Sequence, residues 1–264
     1  MIVYGHRGAK GEAPENTLSG FRHAYRQGVR YFELDIVLSK DGKPVVIHDL
    51  TTDRTTGQKG NVDQYTAAEL GQMDARRNTS PWPNKAGIPE LEQLLDQFDE
   101  VEHFQFEVKK DSRARLNILG NRLTEIIQSR NLYQTAAITS ADTWFLKEMH
   151  RRNKRIRTGL VSERRFPRPM GLATRLGCKY LCINWKMCST ELVENAHRKG
   201  MHVSCWTVNR IQDMLRLEAM GVDSIITDYP TSTQMFFDNR ASSSLTLPDR
   251  QESMAAGNEA LPAN

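Results

Sequence analysis

Short β-rich runs alternate with amphipathic helical stretches along most of this chain, and few architectures accommodate that rhythm. The runs are IVYGH, RYFELDIVL, HFQFEVKK, TAAIT, RTGLV, YLCIN, HVSCWTV and SIITD. Between them lie NTLSGFRHAYRQG, RARLNILGNRLTEIIQSR, ADTWFLKEMHRR, STELVENAHRKG and NRIQDMLRLEAMG, whose apolar residues recur at helical spacing. Repetition of strand then helix implies parallel strands joined by helical crossovers. Eight such units over ~230 residues fit a (β/α)8 barrel in number and size better than an open doubly wound sheet. The expected fold class is α/β, a TIM barrel over residues 1–240, with a small insertion after the second strand.

One apolar run, 45–48, falls outside the count of eight. Only a Lys-Asp-Gly-Lys turn separates it from the second strand, whereas a parallel crossover needs about a dozen residues, so the pair is expected to be an antiparallel hairpin on an Asp-Gly turn. A loop of two or of four residues would pair Leu38 with Val45, Ile36 with Ile47, and Asp35 with His48. Residues 49–87 then break the rhythm with TTDRTTGQKGNV, a short helical TAAELGQM and the polar SPWPNKAG; an insertion of that length reads as a cap over one end of the barrel. After Pro230 the chain turns polar and rich in Ser and Ala, and 241–264 reads as a flexible tail.

Composition excludes several classes of partner. Lys and Arg number 36 against 32 for Asp and Glu, a surplus of +4 that is too small over 264 residues to signal nucleic acid. The densest basic run, RRNKRIR, reads as a solvated helix end. No stretch approaches the ~20 apolar residues of a membrane span, and MIVYGHRG does not resemble a secretory leader, so the expected location is the cytoplasm. Cys178, Cys182, Cys188 and Cys205 match no zinc spacing and read as small packing residues of a reducing compartment.

In barrels of this class the chemistry gathers at the C-terminal ends of the strands. The first strand ends in His6 and Arg7, the second carries Glu33 and Asp35, the third ends Glu107-Val108-Lys109, and the seventh ends at Trp206. Alternation places Glu33 and Asp35 on one face, and likewise Glu107 and Lys109. Three unpaired carboxylates are costly to bury, whereas a hard divalent cation, Mg²⁺ or Ca²⁺, takes such oxygens readily. Arg7 and Lys109 beside that cation would form a phosphate receptor, Arg by bidentate contact and Lys as a point charge. His6 and His48 titrate near neutrality, as the general acid and base of phosphodiester cleavage must.

HRGAKGEAPENT, ELDIVLSKDGKPVVIHD, FEVK, WTVN and IITDYP occur in the order in which they occur in the glycerophosphodiester phosphodiesterase family, which the chain resembles over about residues 2–231. The resemblance implies a barrel that cleaves small glycerophosphodiesters to sn-glycerol 3-phosphate and an alcohol with a divalent cation. It implies His6 and His48 as acid and base, Glu33, Asp35 and Glu107 as metal ligands, and Arg7 and Lys109 as phosphate contacts. A glycerol hydroxyl would attack phosphorus to give a cyclic phosphate, which water then opens. Trp206 is expected to pack on the glycerol or the alcohol, Asn184 to line the pocket, and Asn16 or Thr17 to cap the first helix. The alternatives are a lysophospholipase D, for which the 49–87 insertion is rather polar, and a barrel that binds a phosphate ligand without turnover.

Overall fold

Alternation along the strands decides which side chains meet helices and which fill the interior. In β2 (Tyr31–Leu38), Phe32, Leu34, Ile36 and Leu38 are buried in the layer shared with the helices. Glu33 and Asp35 take the other face, and in β4 (His103–Val108) Phe104, Phe106 and Val108 pack outward while Gln105 and Glu107 line a cavity. The remaining strands are β1 (Ile2–His6), β3 (Pro44–Val46), β5 (Ala136–Ser140), β6 (Arg157–Ser162), β7 (Tyr180–Asn184), β8 (His202–Trp206) and β9 (Ser224–Thr227). In the computed structural model, which describes residues 1–166 and 168–244, all but β3 are parallel. They form a ring β1-β2-β4-β5-β6-β7-β8-β9 that closes because β1 pairs with both β2 and β9. The fold is a (β/α)8 barrel.

The helices are α1 (Leu18–Arg26), α2 (Asp53–Thr56), α3 (Ala67–Gln72), α4 (Leu91–Leu95), α5 (Arg113–Ser129), α6 (Thr143–Arg152), α7 (Pro169–Arg175), α8 (Thr190–His197), α9 (Ile211–Ala219) and α10 (Pro230–Ser244). Side-chain caps start several of them, with Thr17, Ser112, Asp142 and Ser189 accepting from backbone N–H groups of the first turn. Thr17 caps α1, and Asn16 is free for another task. The stretch after Pro230 was expected to be a polar departure from the barrel; instead proline opens α10, where a missing N–H costs nothing, and the helix packs on β1. The expected tail, 241–264, lies outside the described residues beyond Ser244.

The hairpin register differs from expectation by one residue. Ile36 faces Val46, Val37 faces Val45 and Leu38 faces Pro44. The Ser39 N–H donates to the Lys43 carbonyl at 2.9 Å, closing a loop of three residues whose last, Gly42, sits at φ 75°. A loop of two or four keeps one parity and a loop of three reverses it. Asp35 and His48 are therefore not cross-strand neighbours; the Asp35 carbonyl accepts from the Ile47 N–H at 3.1 Å. The reversal turns Val45 and Ile47 to the face of Val37, where Val62, Ala67, Leu70 and Met73 of the insertion cover them. The ladder ends at Val46, and His48 enters the site from the bend that follows.

The lower half of the barrel is filled by polar aromatics. The His103 ring lies between two phenols, with Tyr4 Oη 3.0 Å from Nδ1 and Tyr180 Oη 3.0 Å from Nε2. A neutral imidazole, donor on one nitrogen and acceptor on the other, satisfies both. Burial pushes its pKa down to about 3, with His202 and Arg157 adding to the shift. Below the ordinary histidine value the unfolded chain takes up a proton that the folded chain refuses until about pH 3, so stability falls as pH drops through that window. Urea midpoints should show wild type losing ~2.5 kcal/mol more than His103→Gln between pH 7 and pH 4.5. Equal losses would show that the ring titrates freely.

Candidate active site

At the opposite end, the strand termini surround a cavity of about 280 Å³. Its walls include His6, Arg7, Glu33, His48, Glu107 and Lys109. The chain reaches this arrangement at β1 by folding back over itself. Arg7 sits at φ 51° and Gly8 at φ 86°, and a Cβ on Gly5 would lie 2.1 Å from the Gly8 carbonyl oxygen. A left-handed arginine is uncommon and persists where surrounding contacts fix it. Here the Arg7 N–H donates to Glu33 Oε2 at 3.2 Å, Nη1 donates to Glu15 at 2.8 Å, and Nε lies 3.1 Å from Asp35 Oδ2.

Oxygens of Glu33, Asp35 and Glu107 lie within 4.8 Å of one another. Lys109 Nζ reaches Asp35 at 2.7 Å and Glu107 at 2.6 Å, and Asn16 Nδ2 donates to Asp35 at 2.8 Å. Asn16 itself is left-handed, at φ 55°. Burial would raise the Asp35 carboxyl, but Lys109 and Arg7 hold it well below the usual range. Glu33 goes the other way: burial pushes its carboxyl up and the charges of Asp35 and Glu107 add to this. Its Oε1 is buried without a hydrogen-bond partner. Three carboxylates against the two cations Arg7 and Lys109 leave one net negative charge, a poor receptor for an anion. A divalent cation would satisfy the orphaned oxygen and make the cluster net positive by one, so the donor set fits a hard cation.

Each imidazole is held through Nδ1 by a carboxylate. His6 Nδ1 is 2.6 Å from Asp228 Oδ1, and Asn209 donates to the other Asp228 oxygen at 2.7 Å. Burial alone would raise Asp228, yet the hydrogen bond from His6 and its neighbours bring it down to about 2. His48 Nδ1 is 2.6 Å from Asp49, which also accepts from Arg54 of α2. Arg54 makes a two-pronged contact with Glu15 at 2.9 and 2.8 Å, and Asn78 joins that carboxylate at 2.6 Å. Arg54 and Arg7 keep Glu15 at about 2 although burial opposes it. The insertion thus reaches the site through Arg54 and Asn78, and among the described residues none of 49–87 lines the cavity itself.

Of the expected site residues, His6, Arg7, Glu33, His48, Glu107, Lys109 and Trp206 line this one cavity, and Asp35 lies directly beneath through Lys109 and Arg7. Trp206 lines it with a buried indole N–H that has no partner. Asn184 instead caps the turn Trp185–Met187 by accepting from the Lys186 N–H. Glu15, Asp49, Arg54, Asn209 and Asp228 escaped the sequence reading, and Asn16 entered it as a candidate cap. The PENT, HD, TVN and TDYP motifs contain all of these but Arg54, yet most of their partners are set by tertiary distance: His6 and Asp228 are 222 residues apart.

The profile of the glycerophosphoryl diester phosphodiesterase family matches residues 6–232. The chain belongs to this family. A glycerophosphodiester phosphodiesterase of Caldanaerobacter subterraneus is 31% identical over 87% of this chain and 94% of its own. A phosphodiesterase of Oleispira antarctica, solved with the product sn-glycerol-3-phosphate, superposes with a TM-score of 0.81 at 26% identity, covering 90% of this chain and 97% of that one. A human lysophospholipase D is 25% identical over 89% of this chain and 85% of its own. Family membership accords with the polar mouth, and no described helix is long and apolar enough to cross a membrane.

Proposed function

We propose that this member of the family hydrolyses small glycerophosphodiesters to sn-glycerol 3-phosphate and an alcohol, with His6 and His48 as the acid/base pair. One observation carries the reading. Both imidazoles commit Nδ1 to a carboxylate while lining the same cavity as the acidic cluster, which leaves each Nε2 for proton transfer. Glu33, Asp35 and Glu107 would hold a divalent cation, Mg²⁺ or Ca²⁺, which when bound neutralises charge on the phosphoryl oxygens.

Arg7 and Lys109 bind the remaining phosphate oxygens and align the diester. One imidazole Nε2 takes the proton of the attacking glycerol hydroxyl while the other protonates the departing alkoxide, giving a cyclic phosphate and free alcohol. Water then opens the ring with the two roles exchanged, so both histidines return to their starting states. Asp228 and Asp49 act as positioning residues: each fixes the tautomer and orientation of its imidazole. In this reading the 49–87 insertion braces His48 through Arg54 and Asp49.

The cavity size favours the small diester over a lysophospholipid. About 280 Å³ lies at the lower end of small-ligand pockets, a match for a small diester. Val62, Ala67, Leu70 and Met73 of the insertion are also engaged on Val37, Val45 and Ile47. Choline release from glycerophosphocholine, with sn-glycerol 3-phosphate as co-product, should greatly exceed release from lysophosphatidylcholine. The opposite ranking would assign a lysophospholipase D, and glycerol 3-phosphate binding without turnover under Mg²⁺, Ca²⁺, Mn²⁺ or Co²⁺ would assign an inactive barrel.

A further inference from the structure

Arg7 comes from the end of β1 and His48 from the bend after β3, and a chain of ion pairs joins the two. Arg7 Nη1 donates to Glu15 Oε1 at 2.8 Å, and the same oxygen accepts from Arg54 Nη2 at 2.8 Å. Arg54 Nε donates to Asp49, whose other oxygen lies 2.6 Å from His48 Nδ1. Glu15 is buried between the two guanidiniums and stays ionised. Among the described residues Arg54 alone bonds both carboxylates. Its own helix does not secure it, because α2 has four residues and ends at Gly57 with φ 77°, and a turn that short is marginal by itself. The later part of the insertion does so: the Arg77 N–H donates to the Thr55 carbonyl at 2.9 Å, Arg77 Nη1 donates to the Asp53 carbonyl at 3.0 Å, and Asn78 donates to Glu15 at 2.6 Å.

We infer that Arg54 and Glu15 are positioning residues that lock the phosphate arm, Arg7, to the acid/base arm, His48, so that the insertion sets both at once, given the roles proposed above for those two residues. Arg7 needs such support. Its backbone is left-handed at φ 51°, and with Nε beside Asp35 and Nη1 on Glu15 the plane of its guanidinium is fixed. Position 54 calls for arginine in particular. The planar fork serves two carboxylates through three N–H groups, whereas lysine, a point charge on a flexible stem, cannot hold both in register.

The test measures kcat on glycerophosphocholine and, separately, the Kd of sn-glycerol 3-phosphate by calorimetry, both with Mg²⁺ present. Asp49→Asn should lower kcat by about 10²-fold and leave product Kd within about twofold, since it releases the imidazole alone. Glu15→Gln should weaken product binding by about tenfold and lower kcat less than Asp49→Asn does. Arg54→Met should produce both losses, and Arg54→Lys should recover one of them but not both. Glu15 and Asp49 are joined through Arg54, so Glu15→Gln/Asp49→Asn should lower kcat/KM by about threefold less than the product of the single losses. Multiplicative losses would overturn the inference, as would an Arg54→Met protein that loses kcat yet binds product like wild type. Thermal melting identifies a variant that fails by unfolding, and the double-variant comparison decides if Arg54→Met does so. If Arg7→Ala and His48→Ala keep wild-type activity, the reaction reading falls and this inference with it; if both are crippled while the Arg54 variants are not, the inference alone falls.

Discussion

His6→Ala and His48→Ala should each lower kcat on glycerophosphocholine by about 10²–10⁴-fold, the range for loss of a general acid or base. Both rings hang from a carboxylate at 2.6 Å and line the cavity, so truncation removes a proton carrier without removing a strand. KM should move far less than kcat if, as proposed, Arg7 and Lys109 hold the phosphate. The double variant should be little worse than the poorer single one, since the two rings act in one concerted transfer. Near wild-type kcat in either variant, with the fold intact by circular dichroism, would remove that histidine from the proposed chemistry.

Removal of divalent metal is expected to have the second large effect. A chelator should reduce activity by about 10³-fold or more, equivalent to ~4 kcal/mol of transition-state stabilisation. Glu33→Gln should weaken metal binding and activity together. Its Oε1 is a buried oxygen without a hydrogen-bond partner, so the substitution should also relieve repulsion within the metal-free cluster. That predicts a metal-free Glu33→Gln protein that melts no lower than metal-free wild type but gains less in Tm on adding Mg²⁺ or Ca²⁺. Full activity in chelator, or an unchanged Tm response to metal, would sink the assignment.

The barrel and its acidic cluster were legible in the sequence for local reasons. Alternation along FELDIV and FEVK places carboxylates at i and i+2 on one face, and no tertiary information is needed to see it. The hairpin register was not legible, because loops of two, three and four residues all suit SKDGK and one backbone angle at Gly42 decides among them. His48 nevertheless reached the site, since strand pairing stops at Val46 and the chain bends there. The carboxylates that orient the histidines were obscured differently. Asp228 follows the last strand, β9, and meets His6 only when the ring closes, and Arg54 comes from a helix of four residues that pattern alone does not reveal. Helix α10 was missed because its sequence, PTSTQMFFDNRASSS, has no clean apolar stripe.

Tyr4, Tyr180 and His103 close the barrel beneath the carboxylates, so the reaction chamber is a cul-de-sac. Nothing passes through; whatever enters by the mouth must leave by it. Under the proposed chemistry the alcohol lies outermost, toward the mouth, while the phosphoryl group sits on Arg7, which is only 8% exposed. Departure is then ordered: the alcohol clears the exit before water can reach phosphorus from that side, and glycerol 3-phosphate follows last. The order of bond breaking is written into the depth of the chamber, with the inner product left to compete with the next substrate.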